Sequence, residues 1–115
     1  MSPSLLFDKW IKLDMWIQFN NAFLSIVENR DNTLELLVRA RIKGDIEKIF
    51  PEAEVFEDNN ADYKYRAFIS KAKVAARMML KITEINYDNF KNSVKELERK
   101  NSYSNIWYEL RKLQK

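Results

Sequence analysis

Four cations recur at alternate positions in two short apolar stretches: Arg39 and Arg41 in residues 36–42, Lys64 and Arg66 in residues 62–69. If each stretch is a β-strand, side chains two residues apart share a face. Residues 33–42 then place Leu34, Leu36, Val38, Ala40 and Ile42 on one side, and Glu35, Leu37, Arg39 and Arg41 on the other. Residues 63–69 gather Lys64, Arg66 and Phe68 away from Tyr63, Tyr65, Ala67 and Ile69. Were the two strands neighbours, Arg39, Arg41, Lys64 and Arg66 would share one face with a ring beside them. Planar guanidinium forks and a stacking ring are what phosphate and nucleobase chemistry require. The pattern therefore points to an anion, nucleotide or nucleic-acid site. The alternative is a sheet face kept wet by charge, each arginine paired with Glu35, Glu54 or Glu57.

A second basic group, Lys73, Arg77 and Lys81, follows the i, i+4, i+8 spacing of one helical ridge, beside Val74 and Met78. Such a ridge could track a nucleic-acid backbone or be the solvated side of an amphipathic helix. No RNP-type aromatic motif and no helix-turn-helix pattern accompanies it.

Asp58, Asn60 and Asp62 fit the first positions of an EF-hand loop, but Tyr63 stands where the loop needs Gly and Ile69 where it needs Glu. The segment reads as a turn, with no metal. The sequence has no Cys and no His, which removes thiolate nucleophiles, zinc–thiolate centres and the usual triad base. A single Gly cannot build a phosphate-cradling loop. Asp62 and Asp88, each beside a Tyr, are the remaining candidate bases, and nothing in the sequence brings them together. The inventory points to a protein that is not an enzyme and carries no cofactor.

Apolar residues form a third group. The leader holds Leu5, Leu6, Phe7 and Trp10, while Tyr87, Phe90, Tyr103, Trp107 and Tyr108 crowd the C-terminal third. Most of the latter suit a core, but Tyr and Trp also anchor interfaces. Leu5, Leu6 and Trp10 are candidate partner contacts, since an apolar segment outside the domain needs a surface to bury it.

The elements that would hold these residues follow from periodicity and turn chemistry. Pro3, with Ser2 as a cap, suits a weak helical leader over residues 3–14. Asn20-Asn21 marks a turn. Residues 22–28 and 33–42 read as a hairpin about the polar turn 29–32. Gly44 ends the second strand, Asp45 caps a short helix over 46–50, and Pro51 stops it. Residues 53–57 and 62–69 read as two more strands about Asp58-Asn59-Asn60. Ser70 caps a helix over 71–83 with Val74, Ala75, Met78, Met79 and Ile82 on one stripe. Asn86 or Asp88 restarts a helix through Phe90, Val94 and Leu97, and Ser102 another through Ile106, Trp107, Leu110 and Leu113. The predicted architecture is α+β: a two-layer sandwich with a four-stranded, mainly antiparallel sheet in the order β-β-α-β-β-α-α-α, covered by C-terminal helices. Residues 1–15 form a leader and 16–115 a single domain.

The 115 residues are 46% hydrophobic and 32% charged, an ordinary globular balance that excludes a disordered tail or linker. The net charge of +3 is unevenly spread. Residues 35–60 carry four basic and seven acidic side chains, and residues 61–115 carry thirteen and six, so the C-terminal half would attract an anionic partner. No apolar run approaches the ~20 residues needed to cross a bilayer, and no secretory signal is visible. The expected location is the cytoplasm, with no membrane partner.

Leu37-Val38-Arg39-Ala40-Arg41, Asp45-Ile46-Glu47, Phe50-Pro51, Asp62-Tyr63-Lys64-Tyr65-Arg66, Tyr87-Asp88-Asn89-Phe90-Lys91 and Tyr103 with Trp107 form a pattern over residues 16–108. In it the chain resembles a family of small uncharacterised bacterial and phage proteins. The resemblance implies one compact domain and no particular reaction; the leader lies outside it. The sequence thus supports first a small binding protein acting through a protein partner or self-association, such as a phage or bacterial regulator or inhibitor. The second reading is a nucleic-acid or nucleotide-binding module on the basic sheet face.

Overall fold

A computed structural model describes residues 15–115. The strands are β1 (Met15–Gln18), β2 (Phe23–Glu28), β3 (Glu35–Ala40), β4 (Phe56–Glu57) and β5 (Tyr65–Ser70). The helices are α1 (Asp45–Ile49), α2 (Lys71–Thr83), α3 (Phe90–Ser93) and α4 (Leu97–Arg111). The class is α+β, as the sequence indicates, but the sheet has five strands instead of four, in the order β1-β2-β3-β5-β4, with every neighbouring pair antiparallel.

The extra strand is β1. It pairs with β2 across a tight turn closed by Phe19 N–H donating to the Ala22 carbonyl at 2.8 Å. Asn20-Asn21 supplies that turn. The β2–β3 turn is shaped by side chains: Asn29 Oδ1 accepts from Asp31 N–H and Asn32 Oδ1 from Leu34 N–H, both at 3.0 Å. These are Asx turns, which bend the chain without a glycine.

Leu24, Ile26, Val38, Ala40, Ala67 and Ile69 line the inner sheet face. Against them pack Ile46, Ile49 and Phe50 from α1 and its end, and Val74 from α2, all buried. The alternation read in residues 33–42 holds for Leu36, Val38 and Ala40. Leu34 and Ile42 lie beyond β3 and are exposed.

Ser70 caps α2 as expected, its Oγ accepting from Lys73 N–H at 3.2 Å. The buried stripe of α2 is narrower than the periodicity suggests: Val74 is buried and Met78 half-buried, whereas Ala75, Met79 and Ile82 face outward. The helix follows directly from the end of β5 and only its first turns reach the core. Farther on, α3 is a single turn capped by Asn89, and Val94 is buried in extended backbone after it. Leu97 starts α4 and is exposed, and α4 runs through Ser102 without a break.

Candidate functional site

The antiparallel register aligns one residue from each strand in a single row across the outer sheet face. Trp16 faces Ser25, Ser25 faces Arg39, Arg39 faces Arg66, and Arg66 faces Phe56. A neighbouring row is Val27, Leu37 and Phe68. The strands carrying the predicted cations are therefore neighbours, and Arg39 and Arg66 are directly opposed. Like charges in that arrangement repel.

Tyr63 organises these cations. Its ring is 2% exposed; the Arg41 guanidinium lies 4.2 Å from the ring centroid and that of Arg39 4.6 Å. Arg66 Nη1 donates to the Tyr63 carbonyl at 3.3 Å. Arg39, itself 9% exposed, also donates to Ser25 Oγ at 2.8 Å. Cation–π contact of this kind orients arginines while leaving fork donors available. Among the described residues no carboxylate stands within 4.0 Å of Arg41 or Arg66. The pairing with Glu35, Glu54 or Glu57 does not form there; Glu35 instead accepts from Asn29 at 3.3 Å.

Two expectations change. Tyr63 is not on the inner face with Tyr65, because β5 starts at Tyr65 and the preceding bends break the period-two pattern. Lys64 does not join the arginines around Tyr63; its ammonium lies 5.6 Å from the Tyr65 ring. The signal that would have found Tyr63 is its position just before a strand, beside Asp62, whose carboxylate accepts from Tyr63 N–H at 2.9 Å.

The ridge on α2 is partly neutralised. Lys73 pairs with Glu52 and Lys81 with Glu84, each at 3.6 Å, and Arg77 is half-buried. Asp58 Oδ1 accepts from Asn60 N–H at 3.0 Å in the expected turn. No group of three metal-ligating side chains forms among the described residues. Leu5, Leu6 and Trp10 lie outside the described residues.

A separate polar cluster fixes α4. Arg99 donates from Nη2 to Asp45 Oδ1 at 2.8 Å and from Nη1 to Asp45 Oδ2 at 3.0 Å. Asp45, read from the sequence as a helix cap, is the first residue of α1; Gly44 is the cap, and the carboxylate also accepts from Phe23 N–H at 3.0 Å. The Tyr103 hydroxyl lies 3.0 Å from the Phe19 carbonyl and 2.9 Å from that of Ala22, and takes a hydrogen bond from Arg99 at 3.4 Å. Burial opposes the Arg99 charge, yet hydrogen bonds to Asp45 and Tyr103 prevail and raise its pKa above the ordinary arginine value. Burial raises the Tyr103 phenol, and the positive charge of Arg99 lowers the Glu96 carboxyl.

Beyond this anchor the same helical stripe continues. Arg99, Tyr103, Ile106 and Leu110 are spaced 4-3-4, so they follow one side of the helix, and Leu113 comes in the turn just beyond its end. The first two are buried; Leu110 is 57% and Leu113 76% exposed. Trp107 and Tyr108 are exposed beside them, edge to face at 5.1 Å, with the Arg111 guanidinium 5.6 Å from the Trp107 ring. Phe90, Val94, Tyr103, Trp107 and Tyr108 line a hollow of about 380 Å³ between α3 and α4.

No protein-family model, curated protein or solved structure matches the chain. Among the described residues no helix is long and apolar enough to cross a membrane.

Proposed function

We propose that this chain is a small non-enzymatic binding protein that acts through protein–protein contacts, in the manner of a phage or bacterial regulator or inhibitor. The absence of His and Cys from the sequence supports the non-enzymatic part. One observation carries the binding part: the stripe that seats α4 on the body through Arg99 and Tyr103 runs on as exposed Leu110, flanked by exposed Trp107 and Tyr108 and followed by exposed Leu113 in the turn after the helix. An apolar stripe of this kind on a firmly anchored helix is a contact surface for another helix or an apolar groove. The exposed Trp and Tyr provide the large rigid anchors that dominate interface energies.

The test compares the full chain with Leu110→Glu by light scattering over a range of concentrations and by capture from a bacterial lysate. The parent chain is expected to self-associate or to capture a partner, and the variant to lose that association while keeping its melting temperature. A strictly monomeric parent that captures nothing overturns the reading. Association that survives Leu110→Glu assigns the contact elsewhere and removes α4 from the proposal.

A further inference from the structure

Arg39 and Arg66 face each other across adjacent strands, so Arg66 stands in a positively charged setting where a carboxylate would be favourable. For Arg66 no carboxylate stands within 4.0 Å among the described residues. Its guanidinium donates to the Tyr63 carbonyl, which occupies one of its five donors. Arg41 is held against the same tyrosine, is exposed, and among the described residues likewise has no carboxylate within 4.0 Å. Two guanidinium groups are thus set on one buried tyrosine, Arg41 over its ring and Arg66 on its carbonyl, with donors to spare.

The surroundings suit a ring-bearing anion better than a bare one. Phe56 and Phe68 lie beside Arg66 on the outer face, each about half exposed, with ring centroids 5.6 Å apart. A hollow of about 420 Å³ lies over Leu37, Arg39, Arg66 and Phe68. Its other end is bounded by Glu28, Asn29, Arg30 and Asp31, where Glu28 pairs with Arg30 at 3.8 Å. Those carboxylates repel phosphate, so the anion must sit at the Arg66 end and a base must lie over Phe68. On α2, Lys73 and Lys81 are already paired with Glu52 and Glu84.

We propose that the outer sheet face binds single-stranded nucleic acid. Arg41 and Arg66 take backbone phosphates and Phe68, with Phe56 behind it, stacks a base. Arg39 is a positioning residue: through Ser25 and Tyr63 it holds the ring against which Arg41 is set. Arg41 shares a hollow with Glu98, Arg99 and Tyr103 of α4, but Trp107, Tyr108 and Leu110, which carry the protein-contact function proposed above, are not part of it, so the two readings can fail separately. Free nucleotides offer the same phosphate and base, and the experiment separates the two sources.

Fluorescence anisotropy with labelled twelve-nucleotide single-stranded DNA and RNA, recorded from about 50 to 200 mM salt, reads both affinity and its salt slope. Saturable, salt-dependent binding is expected. Arg66→Ala and Arg41→Ala should each weaken it and reduce the slope of log affinity against log salt by about 0.7, the value for one lost single-strand phosphate contact. Phe68→Ala should weaken binding at least about fivefold with the slope unchanged, as loss of a stacked base does. Lys81→Ala removes one positive charge from a part of α2 that borders none of these residues and should leave both readings unaltered. Should either arginine variant prove poorly folded by circular dichroism, Arg41→Lys and Arg66→Lys, which retain the charge but lose the fork, replace them and should still weaken binding. Complete displacement of the oligonucleotide by an equal concentration of AMP would move the site to free nucleotides and overturn the nucleic-acid assignment. No saturable binding at about 50 mM salt, or losses equal for Lys81→Ala and the arginine variants, also overturns it.

Discussion

Arg99 and Asp45, 54 positions apart in sequence, meet through two parallel hydrogen bonds of 2.8 and 3.0 Å, with both side chains almost completely buried. The pair joins the start of α1 to the first turn of α4, and Tyr103, one turn farther along, ties α4 to the β1–β2 turn. Whatever α4 presents to a partner is presented from this anchor.

Arg99→Ala should therefore be among the most damaging single changes. It strands the Asp45 carboxylate in the interior with Phe23 N–H and, at 3.7 Å, Lys48. Removing one partner of a buried pair costs roughly 3–5 kcal/mol, a large share of the roughly 5–15 kcal/mol that holds such a domain together. Urea denaturation measures it. Arg99→Lys, with a charge but no planar fork, should fall between the two. A loss under about 1 kcal/mol for Arg99→Ala would mean that the clasp is not what seats α4.

Tyr103 gives the clasp an alkaline limit. Burial lifts its phenol above the ordinary value of 10.0, so the folded chain holds this proton more tightly than the unfolded chain does. Its contribution is complete below pH 10 and declines as pH rises through the folded value. Tyr103→Phe lacks the hydroxyl and should be about 1–2 kcal/mol less stable at neutral pH. The gap between the two proteins should narrow above pH 10, because other titrations are common to both. A gap that stays constant to pH 11 would contradict this. Glu96 acts at the other end of the scale: Arg99 depresses its pKa below 4.5, so its contribution is present above that value and lost as pH falls through the folded one. Its side chain is half exposed, and solvent keeps that contribution small.

The parts of the fold that were legible in sequence are those fixed by neighbours along the chain. Leu36, Val38 and Ala40 alternate, Ser70 stands three residues before the amide it caps, and Asn29 and Asn32 bend their own backbone. β1 was not legible, because a four-residue edge strand has too little periodicity and is made by its pairing with β2. The neighbouring of Arg39 and Arg66 was legible only as a condition, since parity assigns a face but not a partner strand. Alternation extended two residues before the start of β5 puts Tyr63 on the wrong face, because the bends there break the period. The Arg99–Asp45 pair left no local trace: each residue is an ordinary helix-terminal charge, and only tertiary packing joins them.

Ser70 offers a check on the local part of that logic. Its hydroxyl satisfies one of the orphan amides at the start of α2. Ser70→Ala should cost about 1 kcal/mol, and Ser70→Asp, which also accepts and adds a favourable charge at the helix start, should cost little or nothing. Thermal melting resolves the difference. Equal losses in both variants would show that the cap hydrogen bond is not the stabilising contact.

Gly44 tests backbone geometry free of packing. Its φ is 93°, in the left-handed region, yet a Cβ added there would meet no atom within 4 Å. Gly44→Ala should therefore lose stability through backbone strain alone, about 1–2 kcal/mol. Gly44→Asn should lose less, because Asn tolerates that region better. Introducing D-alanine by semisynthesis should reverse the sign. The D residue suits a positive φ and narrows the unfolded ensemble, so a gain of about 0.4–1 kcal/mol is expected from the usual replacement of glycine by a compatible residue. The consequence reaches the clasp, since Gly44 turns the chain into α1 and sets the Asp45 carboxylate in front of Arg99. If Gly44→Ala and the D-alanine chain are equally destabilised, crowding and not the left-handed turn fixes this position, and the anchoring of Asp45 must be sought in α1 itself.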